Sequence, residues 1–119
     1  MDQRERLQEQ VREACQQSRP LQIQGAGTKR FYGRKTADAE PLLLREHQGI
    51  VDYEPSELFV TLRAGTSLQT LQEQLAEAGQ MLPFEPPFFG AEATIGGTLA
   101  CGFSGPRRPY AGSARDYVM

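Results

Sequence analysis

The sequence has a single histidine, two cysteines and no long hydrophobic run, and each scarcity removes a class of function. Cys15 and Cys101 lie far apart. That is neither a disulfide framework nor a metal-ligand spacing, and it fits a reducing compartment. His47 stands between Glu46 and Gln48 in a polar stretch and is expected to face solvent. A His-based metal site and a serine-hydrolase triad therefore both lack support. Leu42-Leu43-Leu44 and Leu58-Phe59-Val60 are the longest apolar stretches, far too short to span a bilayer. The opening Met1-Asp2-Gln3-Arg4-Glu5-Arg6 lacks the apolar core of a signal peptide. An excess of one charge is missing too, since 13 basic and 15 acidic residues give a net charge of −2. Nucleic acid and anionic membranes need concentrated positive charge and are not expected partners. The expected setting is the cytoplasm.

What is present suits one globular domain: 119 residues, 39% hydrophobic and 24% charged. Residues 2–17 read as a helix, with Asp2 and Glu5 as a capping box and Leu7, Val11, Ala14 and Cys15 as a buried stripe. Leu21–Gln24 alternates as a strand, and a weaker strand falls around Leu42–Arg45. Ile50–Glu54 and Leu58–Arg63 form an expected antiparallel hairpin about Pro55-Ser56-Glu57, with Leu58, Val60 and Leu62 on one face. A second helix is expected to open on a Thr66/Gln69 capping box, to bury Leu68, Leu71, Leu75 and Ala78, and to stop at Gly79. The pattern is α/β or α+β without an internal repeat.

From Pro83 to Gly112 the periodicity ends, and 6 Gly and 5 Pro fall within 30 residues. Phe84, Phe88, Phe89, Phe103 and Tyr110 are scattered through the stretch and argue against disorder. Such a stretch is either a loop organised by a ligand or a linker whose partner segment is missing.

Two glycine segments are the best anion cradles. Gly25-Ala26-Gly27-Thr28-Lys29 follows a strand and would bare successive main-chain N–H groups, with Thr28 and then Lys29 or Arg30 adding a hydroxyl and charge. It is neither a Rossmann fingerprint nor a Walker A loop, because Arg30 stands where each needs glycine. Ala93-Thr94-Ile95-Gly96-Gly97-Thr98 reads either as a helix start, with free amides for an anion, or as a hairpin turn. Gly102-Phe103-Ser104-Gly105-Pro106 fails as a nucleophile elbow because Pro106 replaces the last glycine, and Arg107-Arg108 is either an anion contact or plain surface.

In order along the chain, five segments resemble the FAD-binding domain of the vanillyl-alcohol oxidase / p-cresol methylhydroxylase superfamily, within it the glycolate oxidase type. They are Ile23–Lys29, Leu62–Thr66, Ala78–Pro87, Ala93–Gly97 and Gly102–Val118, the last two being the most specific. The resemblance implies an α+β fold with FAD held between a small α/β lobe, residues 1–82, and a second lobe beginning at 83–119. It implies that Gly25, Ala26, Gly27, Thr28 and Lys29 grip the pyrophosphate from one side and Thr94, Ile95, Gly96, Gly97 and Thr98 from the other. Pro87, Gly102, Ser104, Gly105, Gly112, Ser113 and Asp116 would line the remaining cofactor path. No catalytic base and no metal ligand is carried over.

Ala26 stands where many relatives have a middle glycine, which requires a negative φ there. His47 matches no flavin-tethering site, so FAD is expected to be non-covalent. The implied activity is flavin-dependent oxidation of a 2-hydroxy acid such as glycolate, with an enolpyruvyl-sugar reductase or a non-catalytic assembly surface as alternatives. The implied partners are a second flavin subunit and an iron–sulfur subunit, with no membrane span but contact with the inner membrane through those partners. The family domain continues well past Met119. A truncated domain, not competent alone and prone to self-association through exposed sheet edges, is therefore expected.

Overall fold

The structure is a computed structural model that describes residues 2–34, 38–87 and 90–119. Phe88 and Phe89 of the aromatic-rich stretch lie outside the described residues. The elements are helix α1 (Arg4–Gln16), strands β1 (Leu21–Gln24), β2 (Glu40–Leu43), β3 (Ile50–Glu54) and β4 (Phe59–Leu62), helices α2 (Leu68–Glu77) and α3 (Ile95–Cys101), and short α4 (Arg108–Ala111). Single 3-10 turns cover Pro55–Glu57 and Ala114–Tyr117. The arrangement is mixed helix and sheet.

β1 and β2 pair in parallel, Leu21 opposite Glu40 through Gln24 opposite Leu43. β3 and β4 form the expected hairpin, with an irregularity between Ile50 and Asp52. Leu58 leaves the apolar face that its position suggested. It caps the 3-10 turn in the left-handed region (φ 58°) and is exposed, because reversing the chain after three residues needs that conformation.

Helix α1 corrects two expectations. Of its apolar stripe only Ala14 is buried, while Val11 and Cys15 are exposed. The helix meets β2 mainly through polar side chains. Arg6 Nη2 donates to Leu43 O (2.8 Å) and Gln10 Nε2 to Pro41 O (3.0 Å), occupying carbonyls on the strand's outer edge. The capping box does not form either. Asp2 accepts the Arg4 N–H (3.0 Å), but Gln3 is the N-cap, without a side-chain cap bond. The Asp2 carboxylate is engaged by the Arg4 and Arg63 guanidiniums instead (2.8 and 3.3 Å). Those contacts, the Arg4 hydrogen bond foremost, hold its pKa far below the ordinary aspartate range. His47 does not face solvent. Its Nδ1 accepts the Gln3 N–H at 3.0 Å, joining the N-terminus to the loop after β2.

The core is Leu68, Leu71 and Leu75 of α2 with Ile95 of α3, flanked by Tyr53, Val60, Leu62 and Leu82. Ala78 lies beyond the end of α2 and is exposed. The cap of α2 is Ser67, whose Oγ accepts the Thr70 N–H (3.0 Å), and not Thr66. The Thr66 hydroxyl turns inward, donating to Arg63 O (2.7 Å) and accepting from the Gly49 N–H (3.0 Å). It is 2% exposed, so it ties the hairpin to α2 from within. Gly79 ends the run with φ 68°, as expected.

Candidate functional site: a glycine bend against the start of a helix

The Ala93–Thr98 segment is a helix start and not a hairpin. Thr94 is the N-cap of α3, its Oγ1 accepting the Gly97 N–H at 3.2 Å. The segment is laced to the strand–helix junction beside it. Leu68 N–H donates to Ala93 O (2.7 Å), Ile95 N–H to Thr66 O (2.9 Å) and Gly96 N–H to Ala64 O (3.0 Å). The free amides expected at this helix start are therefore already engaged, because the chain supplies its own acceptors. Gly96 packs so tightly on Ala64 that a β-carbon would lie 2.9 Å from both its Cβ and its O.

The bend after β1 lies directly against α3. A β-carbon on Gly25 would meet Thr94 Oγ1 at 2.5 Å, and one on Gly97 would lie 3.6 Å from Lys29 Nζ. A β-carbon on Gly90 would lie 3.6 Å from Thr28 Cγ2. So Gly25 and Lys29 meet Thr94 and Gly97, and Thr28 nears Gly90, across nearly seventy residues of chain, a span of residue numbers 25 to 94. Gly27 has φ 74°, whereas Ala26 avoids positive φ, as its side chain requires.

The free donors sit on the bend. The main-chain N–H groups of Ala26, Gly27 and Thr28 have no hydrogen-bond acceptor among the described residues. With the Lys29 ammonium beside them they form a small positive concavity suited to an anionic group. Ser104 adds a second signal: its Oγ is shielded from solvent and has no hydrogen-bond partner among the described residues. A buried hydroxyl left this way costs stability unless another molecule completes it.

The other expected residues fall into three groups. Ile95 faces the core and Thr98 Oγ1 donates back to Thr94 O (2.9 Å), so neither side chain is offered to a ligand. Gly102 closes α3 with φ 66°, and Gly105 packs against Glu85, its notional β-carbon 2.5 Å from Glu85 Cβ. Glu85 in turn accepts the Arg107 N–H (2.7 Å), which gives Arg107 a structural partner. Gly112, Ser113 and Asp116 form a closed unit. The Asp116 carboxylate accepts both the Ser113 N–H (2.7 Å) and the Ser113 hydroxyl (3.0 Å), and these bonds lower its pKa. Pro87 is half-buried.

Sequence reasoning missed Tyr32, whose ring meets Phe103 at 4.7 Å. Its one visible signal is an aromatic pair placed just after the glycine bend. Two clefts lie away from the bend, one along Asp2–Arg6 and one of about 330 Å³ bounded by Gln72, Leu82, Phe84 and Arg107. No helix among the described residues is long and apolar enough to cross a membrane.

A glycine bend with unclaimed amides, pressed on a glycine-rich helix start with no ordinary Rossmann pattern, is the candidate cradle for an anionic group. Residues 1–119 match the family described as FAD binding domain, and the chain belongs to that family, whose cofactor is FAD. It is 52% identical over 113 residues to the glycolate oxidase subunit GlcE of Escherichia coli (strain K12). That match covers 95% of this chain and 32% of the relative, so the chain spans about a third of the relative's length.

Proposed function

We propose that the chain is the N-terminal part of the FAD-binding subunit of a glycolate oxidase, with a fold of the vanillyl-alcohol oxidase / p-cresol methylhydroxylase type. The observation that carries the cofactor site is the apposition of the Gly25–Lys29 bend with Thr94 and Gly97. The 52% identity supports the glycolate oxidase type.

The residues fit FAD as a non-covalent ligand. The amides of Ala26, Gly27 and Thr28 and the Lys29 ammonium would take the diphosphate, with the glycines letting main chain approach closely. Ser104 Oγ would gain the partner it lacks. Residues 1–82 make the small α/β lobe and 83–119 begin the second. When bound, FAD supplies acceptance of a hydride from the alcohol carbon of a 2-hydroxy acid. The chain's own work is to hold and orient the cofactor and to shield it from water. No catalytic base is assigned among the described residues. The partners are a second flavin subunit and an iron–sulfur subunit, in a cytoplasmic complex that reaches the inner membrane only through them.

The test is direct. Purified protein is expected to be yellow with flavin's visible absorbance, or to bind added FAD in a calorimetric titration, and heat is expected to release the flavin intact. Glycolate oxidation is expected once the partner subunits are added. Colourless protein that binds no FAD would sink the proposal.

A further inference from the structure

Three contacts set the loop of residues 25–32 in register along α3. Gly25 lies against Thr94, Lys29 Nζ approaches Gly97, and the Tyr32 ring meets the Phe103 ring with centroids 4.7 Å apart and planes at 57°. The first contact is at the N-cap of α3 and the last is one residue beyond its C-cap, Gly102. At 1.5 Å of rise per residue the N-cap Thr94 and the C-cap Gly102 are separated by about 12 Å. Loop and helix thus run side by side, with unclaimed amides and an ammonium at one end and aromatic rings at the other. A dinucleotide has the same order, a diphosphate, then a sugar-type spacer, then a flat ring.

Tyr32 is held for such a role. Its N–H donates to Lys29 O (3.0 Å), closing the turn that follows the bend, and Phe103 backs its ring. The residue is nonetheless 54% exposed. Ser104, the next residue after Phe103, carries the buried hydroxyl that has no hydrogen-bond partner among the described residues, as a group completed by another molecule would.

We infer that Tyr32, braced by Phe103, is a stacking wall for one flat heteroaromatic ring of the bound dinucleotide. The inference rests on the FAD reading and extends it to a residue outside the glycine segments. Stacking needs the ring and not the hydroxyl, since any aromatic face serves.

The test is FAD titration of the full chain and of its Tyr32→Ala and Tyr32→Phe variants, followed by calorimetry and by flavin fluorescence, with thermal melting as the control for folding. Tyr32→Ala is expected to weaken FAD binding about tenfold or more and to lessen the quenching of flavin fluorescence if the flavin end is stacked. Tyr32→Phe is expected to bind within about twofold of the parent, on the same stacking argument. Titration with FMN and with ADP then assigns the end. The half whose affinity falls with Tyr32→Ala carries the stacked ring. Equal FAD affinity in parent and Tyr32→Ala overturns the wall alone, and a loss that neither half reproduces overturns stacking in favour of a general disturbance. A parent chain that binds no FAD overturns the cofactor reading, and the wall with it.

Discussion

Gly25 and Thr94 touch so closely that a β-carbon on residue 25 would stand 2.5 Å from Thr94 Oγ1. The contact joins the bend that carries free amides to the cap of α3, so under the proposed FAD site it would couple cofactor affinity to packing. Gly25→Ala is expected to cost about 1–3 kcal/mol of stability, as overpacking does, and to weaken FAD binding at least about tenfold. Thr94→Ala alone removes an N-cap and is expected to cost about 1 kcal/mol. In the double variant the clash is relieved, since Oγ1 and Cγ2 are gone. The two losses should then fall short of their sum by more than about 0.5 kcal/mol in denaturant unfolding. Simple additivity would mean that the two residues do not meet.

Gly65 faces main chain and not a side chain. A β-carbon there would lie 2.0 Å from Leu44 O and 2.7 Å from His47 O. Backbone carbonyls cannot swing aside, so Gly65→Ala is expected to cost about 3 kcal/mol or more, or to abolish soluble expression. Gly79→Ala is the contrast. Nothing lies within 4 Å of its notional β-carbon, and only the positive φ of 68° is strained. About 1 kcal/mol is expected there. Urea midpoints of the two variants decide whether crowding or backbone strain dominates.

The cap of α2 offers a test of neighbouring residues. Ser67→Ala removes the oxygen that accepts the Thr70 N–H and is expected to cost about 1 kcal/mol. Gln69, whose side-chain amide donates to Glu73 (2.8 Å) on the exposed face, is expected to tolerate alanine within about 0.5 kcal/mol. Equal effects would return the cap to the Thr66/Gln69 box.

Asp116 predicts an acid limb. Its pKa is lowered by the Ser113 N–H and hydroxyl bonds, so folding favours the ionised form. The resulting stability is present above the ordinary aspartate value of about 3.9 and is lost as pH falls below it. The melting-temperature gap between the parent and Asp116→Asn is therefore expected to stay level from neutral pH to about 5 and to shrink below about 4. A gap at pH 3, about one unit under the free aspartate value, that has not shrunk at all from its neutral-pH size would show that ionisation of Asp116 does not contribute.

The hairpin and α2 are legible in the sequence because their burial follows from local period. Val60 and Leu62 alternate onto the same core that Leu68, Leu71 and Leu75 meet at helical spacing. The glycine bend is legible for a similar reason, since glycine after a strand marks main chain that must come close to something. α1 is misread where its neighbour is decisive. Arg6 and Gln10 look like solvated polar residues until the edge carbonyls of β2 lie alongside, and Cys15 looks buried until the helix turns that position outward. Thr66 and Ser67 are equally good caps on paper, and only the position of Gly49 and Arg63 draws Thr66 inward.

The amino-acid order alone determined the hairpin, the second helix, the two glycine-rich segments and the family to which they belong, because each depends on residues close together in the chain. Tertiary structure decided which amides stay free. Ala64 and Thr66 engage the Gly96 and Ile95 donors of α3, whereas the N–H groups of Ala26, Gly27 and Thr28 meet no acceptor among the described residues. Hydrogen-bond acceptors are allotted by proximity in space, and no local pattern records which distant carbonyl will arrive first.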